Sequence, residues 1–170
     1  MPVTILSISQ KEAAEIVEAI VRKASVDGGL PIAVAVVDAT ARLVAFAAMD
    51  GVVPASIKLS QSKAYSAVVG QKDTMHRASF PKSNETVDFD MRNWTDDNFS
   101  GFTGGVVITI FGTIIGGIGV SGRKEKMNMT ETTMQDNELG MYGNSIFENN
   151  NAKPAINGCM KGTNDVHYPE

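Results

Sequence analysis

The stretch IAVAVVDATARLVAF, residues 32–46, decides the fold of this chain. Its first six residues form a continuous run of small and β-branched apolar side chains, which is typical of a strand buried on both faces. DATA at residues 38–41 favours a turn, and RLVAF then returns to strand character. We therefore predict a β-hairpin whose first strand lies inside a sheet.

Helical signals flank this hairpin on both sides. SQKE at residues 9–12 matches a capping box, and apolar residues then recur at helical spacing until DGG at residues 27–29. This pattern predicts a first helix over residues 9–26. A proline suited to a first helical turn and a closing glycine predict a second helix over residues 54–69. A short helix is expected over residues 72–79.

The second half of the chain predicts another hairpin and a last helix. VVITIF at residues 106–111 and IIGGIGV at residues 114–120 have strand character and are joined by a Gly-Thr turn. A last helix is expected to start at Thr130 or Thr132, and two glycines near its middle weaken it. We expect one domain over residues 1–147.

The expected architecture is α+β, with an antiparallel sheet of about five strands flanked by helices. From residue 148 the chain becomes rich in asparagine, glycine and proline. This composition predicts an irregular C-terminal tail over residues 148–170.

GIGVSG at residues 117–122 matches the dinucleotide-binding fingerprint letter for letter. That fingerprint requires a strand-to-helix turn, whereas Ile118 and Val120 continue a strand and four charged residues follow. We interpret the glycines as a strand that permits close approach of another backbone.

Composition narrows the class of partner. The formal net charge is −4 and the basic residues are scattered, so the charge pattern of a nucleic-acid binder is missing. No apolar run approaches the length of a membrane helix, and the start of the chain has no secretion-signal pattern. The single cysteine, Cys159, fits a reducing compartment. We expect a cytoplasmic location.

The polar segment at residues 82–101 is long for a loop in a compact domain, and such loops are often binding loops or lids. It contains Trp94 and is followed by Phe102 and by the run Thr103-Gly104-Gly105. Aromatic, hydroxyl and glycine residues together favour a small-ligand pocket. The aromatic side chains could equally anchor the segment to the core.

Acid/base candidates are few. His76 is a candidate general base or haem ligand, and Asp96 and Asp97 are candidate acid/base carboxylates. A partly exposed helical histidine and a solvated acidic surface are the alternative interpretations. No cluster has metal-ligand spacing, so no metal site is expected.

Several ordered motifs together resemble the GlcG/HbpS family, which is related to the C-terminal domain of PduO-type corrinoid adenosyltransferases. The resemblance extends over roughly residues 5–140. The motifs that carry it are PIAVAVVD (31–38), LVAF (43–46), MDG (49–51), Ser56-Ile57, KAY (63–65), GGIGVSG (116–122) and MQD (134–136).

The resemblance implies an antiparallel sheet with helices packed around it in a profilin-like or PAS-like layering, and a homo-oligomer. It also implies binding of haem or another small molecule. Two departures from the family pattern weaken the prediction of haem binding. Ala48 stands where many relatives carry arginine, and the first helix has no histidine.

The sequence therefore favours a small-molecule-binding protein of the GlcG/HbpS type, with haem or another planar or anionic organic ligand. The expected pocket lies between the turn at Asp50, the helix carrying Lys63 and the segment from Trp94 to Gly105. Lys63 or Arg92 would hold an anionic group.

Two alternatives stay open. One is a cofactor-independent lyase, isomerase or hydrolase that uses His76 or a loop carboxylate as acid/base. The other is an accessory subunit without a ligand. The residues name neither a reaction nor a cofactor, and haem is the cofactor that the resemblance suggests.

Overall fold

A computed structural model of the chain describes residues 4–76, 96–123 and 133–151. Along the chain these residues form helix α1 (Gln10–Val26), strands β1 (Ala33–Asp38) and β2 (Leu43–Ala48), helix α2 (Pro54–Val69) and a single 3₁₀ turn (Thr74–His76). Strands β3 (Gly105–Ile110) and β4 (Thr113–Ser121) and helix α3 (Asp136–Asn151) follow.

The four strands form one antiparallel sheet in the order β2-β1-β4-β3. β1 and β4 are the central strands, and five of the six β1 residues are buried, which confirms the prediction for residues 32–37. Helix α2 packs on one face of the sheet, and α1 and α3 pack on the other. The α+β class is confirmed, with four strands among the described residues instead of about five.

The capping box at the start of α1 is formed as predicted. Ser9 Oγ accepts the backbone N–H of Glu12, and the Glu12 carboxylate accepts the backbone N–H of Ser9. Each residue therefore satisfies a donor that the helix start would otherwise leave unpaired. The face of α1 that carries Ile16 and Ile20 is buried against the sheet and α3.

Glycines in β4 bring α2 unusually close to the sheet. A Cβ at Gly119 would lie 2.0 Å from the carbonyl oxygen of Ser60, and one at Gly117 would lie 2.8 Å from that of Ala64. Both glycines lie within a strand, as the interpretation of the fingerprint required. The small α2 residues meet the glycines backbone to backbone.

The last helix differs from its prediction. It begins at Asp136 instead of Thr130 or Thr132, and it continues to Asn151, past the expected domain end at residue 147. Gly140 and Gly143 lie inside the helix and are buried. A Cβ at Gly143 would come within 2.5 Å of the Ile20 side chain. Close packing of α3 therefore outweighs the low helix propensity of glycine.

The helix expected over residues 72–79 is also shorter than predicted. Within the described residues it is only the 3₁₀ turn Thr74–His76. The hydroxyl of Thr74 accepts the N–H of Gly105, so the turn is tied to the start of β3. No described helix is long and apolar enough to cross a membrane.

Candidate functional site

A buried lysine lies at the centre of the candidate site. Lys63 projects from α2 and is only 3% exposed. Its Nζ donates to the Val120 carbonyl oxygen and to Asp136 Oδ2, at 2.9 Å in each case. A buried ammonium requires such partners because desolvation of a charge is costly. The contacts join α2, the end of β4 and the start of α3.

Asp136 is the first residue of α3 and is 8% exposed. Its Oδ1 accepts the backbone N–H of Arg123 at 3.0 Å, while Oδ2 accepts from Lys63. The carboxylate therefore joins the first turn of α3 to the residue that follows β4. A negative charge in this first turn is also favoured by the helix dipole.

The glycine pair 104–105 makes room for the lysine. Gly104 has a φ of +109°, and a Cβ there would lie 3.2 Å from Lys63 Nζ and 2.6 Å from the Val120 carbonyl oxygen. A Cβ at Gly105 would lie 2.3 Å from the Lys63 carbonyl oxygen. Both residues were predicted to bind the ligand. In the structure both pack around the buried lysine, and their contact with a ligand stays a prediction.

A second buried ion pair, Arg123–Asp27, is linked to the first because the Arg123 backbone N–H donates to Asp136. The Arg123 guanidinium donates to both carboxylate oxygens of Asp27 and to the carbonyl oxygens of Ala24, Leu30 and Met134. These contacts use all five guanidinium N–H groups. Arg123 therefore connects the end of α1 to the chain that leads into α3.

The pKa of Asp27 reflects two opposing effects. Burial by itself raises this pKa, but hydrogen bonds from Arg123 and from the N–H groups of Gly29 and Met134 outweigh it. The pKa of Asp27 therefore lies below its ordinary value. The aspartate is ionised at neutral pH and remains paired with the arginine.

Beside Lys63 lies an open cavity of about 590 Å³. This volume is in the range of small-molecule pockets. The first three turns of α2, the loop before β3, the end of β4 and the start of α3 line it, and we call it the Lys63 cavity. Its lining residues are Val53, Ala55, Ser56, Leu59, Lys63, Gly101, Phe102, Thr103, Ser121, Gly122, Arg123 and Asp136.

Three of the expected ligand-binding residues, Lys63, Phe102 and Thr103, line this cavity. Asp50 is exposed in the turn before α2 and does not line it. The expectation that the Asp50 turn forms one wall is therefore not met by the described residues. Arg92 and Trp94 lie outside the described residues.

The three acid/base candidates are not brought to the cavity. His76 is exposed in the 3₁₀ turn, and Asp97 is exposed in the loop before β3. Asp96 lies near a smaller cleft of about 210 Å³, where its Oδ2 accepts the Tyr65 hydroxyl at 2.6 Å. The hydrogen bond to Asp96, together with burial, raises the pKa of Tyr65.

Sequence reasoning missed Ser56, Ser121, Arg123 and Asp136 as site residues. Asp136 had a signal, since MQD was one of the motifs that carried the family resemblance. Ser56 and Ser121 also lie in motifs that carried the resemblance, but nothing in those motifs marked their hydroxyls as cavity groups. Arg123 had no signal, because its contacts span more than ninety residues of chain. Within the described ranges, no group of three or more His, Cys, Asp or Glu side chains is arranged to hold a metal.

A family model described as "Haem degrading protein HbpS-like" matches residues 8–130. The chain belongs to this HbpS-like family. The match includes α1, the whole sheet and α2, and so contains most of the walls of the Lys63 cavity. It ends before α3, which supplies Asp136. No curated protein sequence matches the chain.

Solved structures have the same fold. Klebsiella pneumoniae protein ORFY is 21% identical, with a TM-score of 0.73, over 86% of this chain and 94% of the other. A PduOC complex with heme is 21% identical, with a TM-score of 0.69, over 82% and 94%. A double mutant of Streptomyces reticuli HbpS is 21% identical, with a TM-score of 0.64, over 85% and 90%. These identities establish the fold alone.

Proposed function

We propose that this protein binds a small organic molecule in the Lys63 cavity. The observation that carries the proposal is a cavity of about 590 Å³ with a buried ion pair, Lys63–Asp136, at one side. Concave sites with a few convergent polar groups among apolar walls are typical of ligand pockets. A family relative described in complex with heme supports small-molecule binding on this fold.

The lining does not favour haem held through its iron. Protein ligands to haem iron are usually His, Cys, Met or Tyr side chains. None of these is among the described residues that line the cavity, and His76 lies elsewhere. We therefore propose an organic ligand that is held by its own polar groups. Titration with hemin is expected to give no saturable shift of the Soret band, and a saturable shift would favour haem.

We also favour ligand binding over acid/base catalysis. The sequence named three candidates for an acid/base role. Of His76, Asp96 and Asp97, none lines the Lys63 cavity. Lys63 and Asp136 do line it, and each is already engaged by protein groups. The observations thus support a ligand site and assign no proton-transfer role.

A blocked cavity tests the proposal. Leu59→Trp adds bulk to a lining residue, whereas Val69→Trp adds the same bulk at the far end of α2, away from the cavity. A ligand that binds only the folded state raises the Tm. We expect some members of a panel of organic acids, amides and alcohols to raise the Tm of the wild type and Val69→Trp, but not of Leu59→Trp. Equal shifts in all three proteins would contradict the proposed site.

We also propose a homo-oligomer. Among the described residues β2 is an edge strand, and Leu43 and Phe46 on it are 49% and 38% exposed. Ile57 on α2 is 38% exposed as well. Exposed apolar side chains beside an unpaired strand edge favour association. Light scattering coupled to size-exclusion chromatography is expected to give a mass above 18.1 kDa; a monomer mass would contradict this.

A further inference from the structure

Two serine hydroxyls on the wall of the Lys63 cavity have no hydrogen-bond partner among the described residues. Ser56 in the first turn of α2 is 9% exposed, and Ser121 at the end of β4 is 5% exposed. Both residues line the cavity. Neither side chain makes a hydrogen bond within the described part of the chain. Because both residues line the cavity, their hydroxyls are available to hydrogen-bond a group that enters it.

The contacts of Lys63 with the described residues leave one of its N–H groups available to the same space. An ammonium has three N–H groups, and Lys63 uses two of them, on Val120 and Asp136. The guanidinium of Arg123 has none left, because its five N–H groups are engaged. Among the described lining residues, the side-chain donors that remain for a ligand are therefore one N–H of Lys63 and the hydroxyls of Ser56, Thr103 and Ser121.

The start of α2 adds positive potential to this side of the cavity. Its N-cap is Val53, which provides no side-chain hydrogen bond, and its first turn contains no acidic residue. Such an end carries roughly half a positive charge. In α1 and α3, by contrast, acidic residues occupy the first turn. Because Lys63 and Asp136 neutralise each other, the helix end leaves an excess of positive potential where Ser56 lies.

Apart from Thr103, the side chains on the remaining walls are apolar. Leu59 lies one turn further along α2, Val53 precedes the helix, and Phe102 is 65% exposed on the loop before β3. An aromatic ring that is exposed at a cavity wall offers a surface for a planar or apolar body. The cavity thus has a donor-rich side and an apolar side.

We propose that the ligand is a small organic acid, with its carboxylate on Ser56, Ser121 and the free N–H of Lys63, and with its apolar body against Leu59 and Phe102. This inference rests on the proposed function, since it specifies the ligand class of the same cavity. The carboxylate accepts hydrogen bonds from two hydroxyls that have no acceptor among the described residues, and its charge lies at the positive end of α2.

Matched acid and amide pairs test the charge preference. Benzoate and benzamide have nearly the same shape, as do phenylacetate and phenylacetamide, and only the acids are anionic. Affinities are measured by NMR titration of the labelled full chain. We expect each acid to bind about tenfold more tightly than its amide, which corresponds to about 1.4 kcal/mol. The shifts should centre on Ser56, Lys63 and Ser121.

Serine variants test the contacts without breaking the ion pair. Ser56→Ala and Ser121→Ala remove hydroxyls that make no hydrogen bond to the described residues, so we expect the fold to be retained. Each is expected to weaken benzoate binding about tenfold while benzamide changes less. Ser25→Ala on the exposed face of α1 is the matched control and is expected to change neither.

The outcomes separate the two levels of proposal. If the amides bind in the cavity as tightly as the acids, the organic-acid inference is wrong and the binding function stands. If the acids bind but both serine variants keep wild-type affinity, the inference is also wrong. If no compound shifts the cavity resonances, both proposals are contradicted.

Discussion

Replacing Lys63 by methionine removes the positive charge from a buried ion pair and retains most of the side-chain volume. Asp136 Oδ2 then loses its ammonium partner, and the Val120 carbonyl oxygen loses a donor. Removing one member of a buried pair typically costs about 3–5 kcal/mol, because the other charge stays desolvated. A domain whose total stability is about 5–15 kcal/mol would be strongly destabilised.

A double variant isolates the cost of leaving the Asp136 charge without a partner. Asp136→Asn in the Lys63→Met background removes the stranded negative charge, and the asparagine oxygen can still accept the N–H of Arg123. We expect the double variant to be more stable than Lys63→Met, by about 1–3 kcal/mol. The assay is urea unfolding followed by far-ultraviolet circular dichroism.

The matched control is Lys58→Met on the same helix. Lys58 is exposed and donates to Asn98, so its loss should cost no more than about 1 kcal/mol. If Lys63→Met lowers the free energy of unfolding no more than Lys58→Met does, the buried pair does not stabilise the site. The same conclusion follows if adding Asp136→Asn to Lys63→Met recovers no unfolding free energy.

Three further outcomes are expected. The pKa of Asp27 lies below its ordinary 3.8, so the contribution of Asp27 to the free energy of unfolding is full above pH 3.8 and is lost as the pH falls through the lowered pKa. Asp27→Asn should therefore reduce the slope of unfolding free energy against pH in acid. An unchanged slope would refute this. Gly119→Ala should lower the free energy of unfolding far more than Gly112→Ala. At Gly112 a Cβ meets nothing within 4 Å, and only the positive φ costs about 1–2 kcal/mol. Equal unfolding free energies of the two variants would argue against the close contact of α2 with β4. Asp96→Asn should lower the pKa of Tyr65 in an alkaline absorbance titration, because the carboxylate partner of the hydroxyl is removed; an unchanged titration would exclude the contact.

Local signals were sufficient to predict α1, β1 and α2. The helix that follows the capping box and the strand formed by the apolar run at residues 32–37 are each recognisable from a few neighbouring residues. Pro54 and Gly70 likewise stand at the two ends of α2. These elements agree with prediction because propensity, pattern and packing all favour the same conformation.

Predictions failed where packing overrides local preference. Gly140 and Gly143 have low helix propensity, and we interpreted them as weakening the last helix. The structure needs them there, since a Cβ at Gly140 would lie 2.8 Å from Val106 and one at Gly143 2.5 Å from Ile20. Which helix faces which strand is not visible in a single sequence, so this requirement was hidden.

The site was only partly predictable for the same reason. Lys63, Phe102 and Thr103 were identified, but the partners that make the cavity polar come from distant parts of the chain. Asp136 follows Lys63 by 73 residues. The unpaired hydroxyls of Ser56 and Ser121 become informative only when their burial is known.

A crystal structure of the full chain with benzoate tests the assignment of the ligand site most directly. We expect benzoate density in the Lys63 cavity, with its carboxylate within hydrogen-bond distance of Ser56 and Ser121 and its ring beside Phe102. Density confined to the cleft beside Tyr65, or an empty Lys63 cavity at saturating benzoate, would contradict the assignment.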